Sequence, residues 1–112
     1  MDTTKLLGSY ISSVCFVSDY IELGLNGPIL RFLSNPVVSD GLKSYLFPEP
    51  GSRDALCLLI DKMVSHFEIV EGKYVRLVAD GIDVKASLNE METQMPEAFH
   101  FVPGIDMPIQ VW

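Results

Sequence analysis

The sequence predicts an α+β domain in which an antiparallel β-sheet, built from two similar three-stranded meanders, carries one central helix. Two observations support this prediction. Two apolar segments are each interrupted by a turn-forming pair, Asn-Gly in one and Asp-Gly in the other, which is typical of β-hairpins. Between them, apolar residues recur at the spacing of one helix face. A β-sandwich with only a short helix is the alternative. The 112 residues suit a single domain, 1–112, which can bury a core without disulfides or metal.

An internal sequence similarity defines two halves, about 11–38 and 64–89. Tyr20 begins Tyr-Ile-Glu-Leu-Gly-Leu-Asn-Gly, and Tyr74 begins Tyr-Val-Arg-Leu-Val-Ala-Asp-Gly. Asn-Gly and Asp-Gly favour the type I′ turn of a tight hairpin, because that turn needs positive φ at both central residues. Either the halves are a pseudo-repeat or two hairpins resemble each other by chance. The pattern predicts strands near 11–17, 20–25, 29–33, 64–70, 74–79 and 82–88.

The middle of the chain predicts one helix at about 53–64. A Pro-Glu-Pro-Gly breaker cluster precedes Ser52, which stands at the N-cap position, and Asp54 lies in the first turn. The preceding segment, 41–47, is ambiguous between strand and loop. We expect one face of the helix to pack across the sheet, and that apolar stripe consists of Ala55, Leu56, Leu59, Ile60 and Met63.

Two short strands are expected near the end of the sequence, at 98–102 and, as an edge strand, at 109–112. On the first of them Phe99 and Phe101 share one face, and His100 points the other way. One interpretation is a core strand with both phenylalanines buried. The other is that His100 and Glu97 contribute to an acidic rim around a binding surface.

The net charge of −7 argues against nucleic acid as a direct partner, because phosphate binding needs a basic face. The acidic residues are also unevenly distributed, since Lys85 is the last basic residue. After it come four acidic residues and no Lys or Arg: Glu90, Glu92, Glu97 and Asp106. Such a surface either steers an oppositely charged partner or simply maintains solubility.

The two cysteines, Cys15 and Cys57, lie within apolar runs, which predicts two buried and reduced thiols. Reduced thiols suit a reducing compartment, so we expect a cytoplasmic protein. No apolar run approaches the roughly 18 residues of a membrane span, and no secretory signal is recognisable. We therefore expect no membrane partner.

Patterns that carry catalysis or bind cofactors are lacking. His66 and His100 are far apart in the sequence, and neither has a Cys or His neighbour at ligand spacing. There is no glycine-rich phosphate loop and no Gly-x-Ser-x-Gly motif. We expect a protein that is not an enzyme, with no catalytic residues, no metal and no cofactor.

The order of features resembles that of small bacterial proteins of unassigned function which end in Glu-Ala-aromatic. The features are the two Asn-Gly and Asp-Gly meanders, a Leu-rich middle segment and a closing Glu97-Ala98-Phe99. The chain is also similar to the small acidic immunity proteins encoded beside contact-dependent growth-inhibition and other polymorphic toxins. This resemblance implies a compact cytoplasmic protein that masks a toxin.

The leading hypothesis is therefore an immunity protein that neutralises a cognate bacterial toxin by masking its active site through an acidic surface. The expected partner-binding residues are Glu90, Glu92, Glu97, His100, Asp106 and Trp112. One alternative is a small-ligand carrier whose apolar pocket would be lined by Phe16, Tyr20, Phe32, Phe67 and Tyr74. The other is a homo-oligomeric structural module, in which the 109–112 edge pairs across a homodimer.

Overall fold

The computed structural model describes residues 6–18, 20–89, 97–104 and 108–112. Over these residues the chain forms two five-stranded antiparallel sheets and one short helix. The expectation of an antiparallel, β-rich fold with one helix is confirmed. The expectation of one sheet is wrong, and the two-sheet arrangement is closer to the sandwich alternative.

In chain order the strands are β1 Ser13–Val17, β2 Tyr20–Gly24, β3 Ile29–Phe32, β4 Val37–Ser39, β5 Ser44–Leu46, β6 Val64–Val70, β7 Tyr74–Ala79, β8 Ile82–Ser87, β9 Phe99–Val102 and β10 Gln110–Val111.

The two sheets have the same plan. The first has the order β1-β2-β3-β9-β10, and the second has the order β6-β7-β8-β4-β5. Each sheet therefore consists of three consecutive strands extended by a two-stranded hairpin. The hairpins are exchanged along the chain: β4–β5 follows the first three strands but pairs with β8, and β9–β10 follows β8 but pairs with β3.

The two predicted hairpin turns are confirmed. Asp80 and Gly81 have φ of 46° and 84° and join β7 to β8, with Ala79 opposite Ile82. Asn26 and Gly27 have φ of 63° and 135° and lie between β2 and β3. Positive φ at both central residues is the reason for these residue pairs, because Asn, Asp and Gly tolerate the left-handed region best.

One hydrophobic core lies between the sheets and takes side chains from both. Its centre is Phe99 of β9, which is fully buried. The Phe99 ring lies 5.1 Å from that of Phe32 in its own sheet and 6.1 Å from that of Phe67 in the other sheet, measured between centroids. Phe32 and Phe67, which the small-ligand alternative placed in the lining of a pocket, are thus core residues. The alternation of buried and exposed residues along β2, β7 and β8 supplies the rest of this core.

The helix, α1, extends over Ser52–Cys57 only, so the predicted 53–64 helix is too long. Beyond Cys57 the chain makes tight turns with bonds from residue i to i−3, such as Leu59 N to Leu56 O at 3.0 Å. At Asp61 the φ of 70° ends any helical course. Lys62 and Met63 must then leave the helical path because Val64 begins β6.

The buried face of α1 is also smaller than predicted. Ala55, Leu56 and Leu59 are buried as expected, but Ile60 and Met63 are 39% and 38% exposed. The helix packs against β4 and β5 at one edge of the second sheet. The N-cap residue is Gly51 rather than Ser52, whose hydroxyl donates to the Glu49 carbonyl at 2.6 Å.

The prediction of two buried cysteines is wrong: Cys15 and Cys57 are free thiols and both are exposed. Cys15 lies on an edge strand, directly across from Glu22, and faces outward with it. Cys57 is the last residue of α1 and points away from the core side of that helix. An apolar run around a cysteine does not show which face of the strand or helix the thiol occupies.

Backbone pairing at one corner joins the two sheets. Tyr10 and Met63 form an isolated antiparallel bridge. Around it, Gly8 N donates to Val64 O at 2.9 Å, and Ile11 N donates to Lys62 O at 2.9 Å. The segments that enter β1 and β6 are thereby held together, which fixes how the two sheets meet.

We expect Gly51→Ala to destabilise the fold more than Gly72→Ala does. Both glycines have positive φ, 91° and 73°, which costs a residue with a Cβ roughly 1–2 kcal/mol. A Cβ on Gly72 meets nothing within 4 Å, whereas one on Gly51 would lie 2.8 Å from Cε1 of Tyr45. Urea denaturation of both variants measures the difference in free energy of unfolding. An equal decrease in the free energy of unfolding for both variants would contradict the expected clash with Tyr45.

The exchanged hairpins predict that the halves of the chain fold only together. A break between Pro50 and Gly51, both exposed, gives fragments 1–50 and 51–112, each containing a hairpin whose partner strand is in the other fragment. We expect poor amide dispersion in NMR spectra of each fragment alone and a native-like spectrum for the equimolar mixture. A fragment that folds by itself would overturn this expectation.

Candidate functional site

A row of polar side chains crosses the outer face of the first sheet. The strand register aligns Glu22 on β2, Arg31 on β3 and His100 on β9. Arg31 Nε donates to Glu22 Oε2 at 2.8 Å, and Arg31 Nη1 lies 3.2 Å from His100 Nδ1. The guanidinium carbon is also 5.4 Å from the centre of the Tyr20 ring. Arg31 is therefore held from three sides.

Glu97 completes this row. His100 Nε2 lies 2.7 Å from Glu97 Oε2. Because a guanidinium can only donate, Nδ1 of His100 must accept from Arg31, and the ring proton then belongs on Nε2, where it is donated to Glu97. The His100 side chain is only 14% exposed, while that of Glu97 is 50% exposed. The imidazole thus positions a carboxylate that faces the solvent.

Of the six residues expected at the partner-binding surface, Glu97 and His100 are brought together directly. Trp112 follows β10 and packs on the opposite face of the sheet from His100: its ring centre is 5.8 Å from that of Phe99, and its backbone N donates to Phe99 O at 2.8 Å. Trp112 is half-buried and packs against the core. The remaining three, Glu90, Glu92 and Asp106, lie outside the described residues.

Glu22 and Arg31 belong to this polar row, but nothing in the sequence singled them out. Arg31 is 69 residues from His100 in the sequence, so no local pattern could pair them. A weak signal existed, because Glu22 and Arg31 stand on the outward-facing positions of a predicted hairpin. Opposite charges directly across an antiparallel pair stabilise each other.

The outer face of the second sheet carries a separate network. Arg76 on β7 binds Asp83 on β8, with Nε and Nη2 at 2.8 and 2.7 Å from Oδ2. This bond and the Asp83 charge raise the pKa of Arg76 above its ordinary value. Tyr74 donates its hydroxyl to Glu68 Oε1 at 3.0 Å, and this hydrogen bond raises the pKa of the Tyr74 phenol.

Two open depressions lie on either side of the 33–36 crossover, where the chain passes from the first sheet to the second. One has a volume of about 560 Å³ and includes Lys73, Tyr74, Asp83 and Lys85 in its lining. The other has a volume of about 630 Å³ and is lined by Phe16, Val17, Ser18, Leu33, Asn35, Phe47, Pro48 and Arg53.

Within residues 6–18, 20–89, 97–104 and 108–112, no three His, Cys, Asp or Glu side chains are grouped so as to hold a metal ion. Over the same part of the chain, no helix is both long and apolar enough to cross a membrane.

Comparison of the chain with protein-family models, with curated proteins and with solved structures found no match. The fold and the polar row thus define this chain as a double-sheet β-protein with a carboxylate-bearing outer face.

We expect the pKa of the Tyr74 phenol to lie above that of free tyrosine, first because deprotonation breaks its hydrogen bond to Glu68 and also because the phenolate would lie beside that carboxylate. A raised folded-state pKa means that this bond stabilises the fold at and below the ordinary tyrosine pKa and is lost as the pH rises through the folded value. Ultraviolet titration of tyrosinate in Glu68→Gln should shift one of the four tyrosines to lower pH. In Tyr74→Phe that high-pH step should be missing. A titration curve unchanged in Glu68→Gln would contradict the interaction.

Proposed function

We propose that this chain is a protein-binding immunity protein, which neutralises a cognate bacterial toxin by masking its active site with an acidic surface. The observation that carries the proposal is charge distribution. The chain has a net charge of −7, and residues 86–112 contain four acidic residues and no Lys or Arg. We also propose that the protein is cytoplasmic and is not an enzyme.

The physical basis is competition for a basic site. Toxins that cleave nucleic acids need cationic residues around the scissile phosphate, and an acidic protein can occupy that site with carboxylates in place of phosphates. A field of one sign also speeds the encounter of oppositely charged partners. Fast association matters for such an inhibitor because an unbound toxin acts on its host.

The polar row of the first sheet supports this proposal. It contains two carboxylates, Glu22 and Glu97, to one guanidinium. The charge of Arg31 is compensated by its ion pair with Glu22, and the same guanidinium also contacts His100. Glu97 remains half exposed, and its hydrogen bond to His100 reduces the side-chain entropy lost on binding.

We also infer that the two meanders are a pseudo-repeat. Their strands share an arrangement, since Tyr20 lies opposite Val17 and Tyr74 lies opposite Val70 at the start of the second strand. Both meanders lead into a Gly-containing turn with positive φ, and both are extended by a hairpin on the side of their third strand. A duplicated meander-plus-hairpin unit accounts for these similarities.

A homodimer is the alternative assembly. Strand β10 forms one edge of the first sheet, and Val111 within it and Ile109 just before it are 49% and 51% exposed. An uncovered edge can pair with that of a second copy. Light scattering on the isolated protein distinguishes a homodimer from a monomer, because the dimer has twice the monomer mass of 12.5 kDa.

The test is co-purification with the product of the gene directly upstream, expressed together with the tagged chain in its own host. We expect a basic toxin domain to remain bound in stoichiometric amounts through a moderate salt wash. Glu97→Lys should weaken the complex by roughly tenfold or more, as loss of a charge-assisted hydrogen bond does. Combining it with Glu90→Lys and Glu92→Lys should abolish the complex.

The matched control is Glu71→Lys, which reverses an exposed acidic residue in the β6–β7 turn of the second sheet. This variant has the same net charge as Glu97→Lys and should keep the toxin bound. Equal weakening by both variants would show an effect of net charge alone and would contradict a binding face at Glu97. A monomer that retains no protein would overturn the proposal.

A further inference from the structure

The depression of about 630 Å³ lies between the end of β1 and the segment that follows β5. Its size is within the range of small-molecule sites in proteins, about 300–1,000 Å³. Two phenylalanines form an aromatic wall: the rings of Phe16 and Phe47 are stacked with centroids 5.9 Å apart and an angle of 12° between their planes. Phe16 is half-buried and Phe47 is buried, so this wall is fixed by the core.

The Arg53 guanidinium lies across both rings. Its central carbon is 5.1 Å from the centroid of Phe47 and 5.8 Å from that of Phe16. Cation–π attraction to two rings restricts this side chain, while Arg53 itself remains exposed to solvent. Because the rings restrict the guanidinium, it loses less side-chain freedom on binding an anion than an unrestrained arginine would.

Among the residues that the structure describes, Arg53 has no carboxylate partner. Its one hydrogen bond within the described residues is from Nη1 to the carbonyl of Pro48 at 3.3 Å, and it forms no ion pair there. Arg31 and Arg76 differ in this respect, since both bind carboxylates at 2.8 Å or less. Over the described part of a chain with net charge −7, Arg53 thus differs from these two arginines in lacking an acidic partner.

The remaining polar groups of the lining suit an anion as well. Asn35 and Ser18 can each donate a hydrogen bond, and none of the described residues that line this depression is acidic. The neighbouring depression differs, because its lysines share the lining with Asp83, and Lys85 lies 4.3 Å from the centre of the Tyr74 ring. The two depressions therefore differ in electrostatic character although they flank the same crossover.

We propose that this depression binds a small planar aromatic carboxylate. The flat body of the ligand would pack against the part of the Phe16 and Phe47 wall that the guanidinium leaves uncovered, and its carboxylate would take two parallel N–H donors from Nε and Nη2 of Arg53. A single guanidinium balances one negative charge, which fits a carboxylate better than a phosphate dianion. The site is independent of the toxin-masking surface, because Glu97 and His100 are not in its lining.

The test is titration of the isolated chain with naphthoate, followed by calorimetry and by amide chemical shifts in NMR spectra. We expect saturable binding, with the largest shifts at Phe16, Asn35 and Phe47. Naphthalenemethanol, which lacks the charge, and cyclohexanecarboxylate, which lacks the planar ring, should each bind at least about tenfold more weakly. Equal affinity for the uncharged alcohol would overturn the proposal, as would the absence of naphthoate binding.

Arg53→Gln should weaken naphthoate binding by about tenfold to a hundredfold. Arg53→Lys should give an intermediate loss, because it keeps the charge but lacks the planar fork. Lys43→Gln is the control, since it removes an equal charge from an exposed turn outside the site and should leave affinity unchanged. Amide dispersion verifies that each variant is folded. Naphthoate affinity that is unchanged in Arg53→Gln would contradict the assigned site, and none of these outcomes bears on toxin binding.

Discussion

The packing of Phe99 is the interaction on which the rest of the structure depends. This residue is fully buried, and its ring contacts Phe32 from the same sheet, Phe67 from the other sheet and Trp112 from the end of the chain. Aromatic rings at centroid distances of about 4.5–7 Å are stabilising beyond their buried area. Phe99 therefore connects two sheets that, within the described residues, are also joined by backbone hydrogen bonds at the corner of Tyr10 and Met63.

The position of Phe99 also determines the outer surface. Because successive side chains of a strand alternate between faces, burial of Phe99 and Phe101 directs His100 outward. There it meets Arg31, whose own direction is set in the same way by burial of Leu30 and Phe32. The proposed carboxylate surface at Glu97 is thus a consequence of core packing on the opposite face of the same strands.

Local signals predicted much of the fold, and long-range contacts account for the rest. Asn26-Gly27 and Asp80-Gly81 specified two hairpins because few other residue pairs tolerate positive φ twice in succession. The apolar stripe after Ser52 suggested a helix of twice the observed length, since periodicity does not reveal that the chain must turn at Asp61 to begin β6. Likewise, no sequence pattern pairs Arg31 with His100 or places Arg53 over two rings supplied by β1 and by the segment after β5.

The exchanged hairpins have a consequence for synthesis on the ribosome. Strand β3 pairs with β9, so the first sheet lacks two of its five strands until the last part of the sequence has emerged. Until then β3 is an uncovered strand edge, and the Phe32 side chain lacks the ring that later packs against it. Pairings of such large sequence separation slow folding. The nascent chain is accordingly at greatest risk of aggregation after β8 has been made and before β9 arrives, a period in which a chaperone that covers apolar strand edges would have its largest effect.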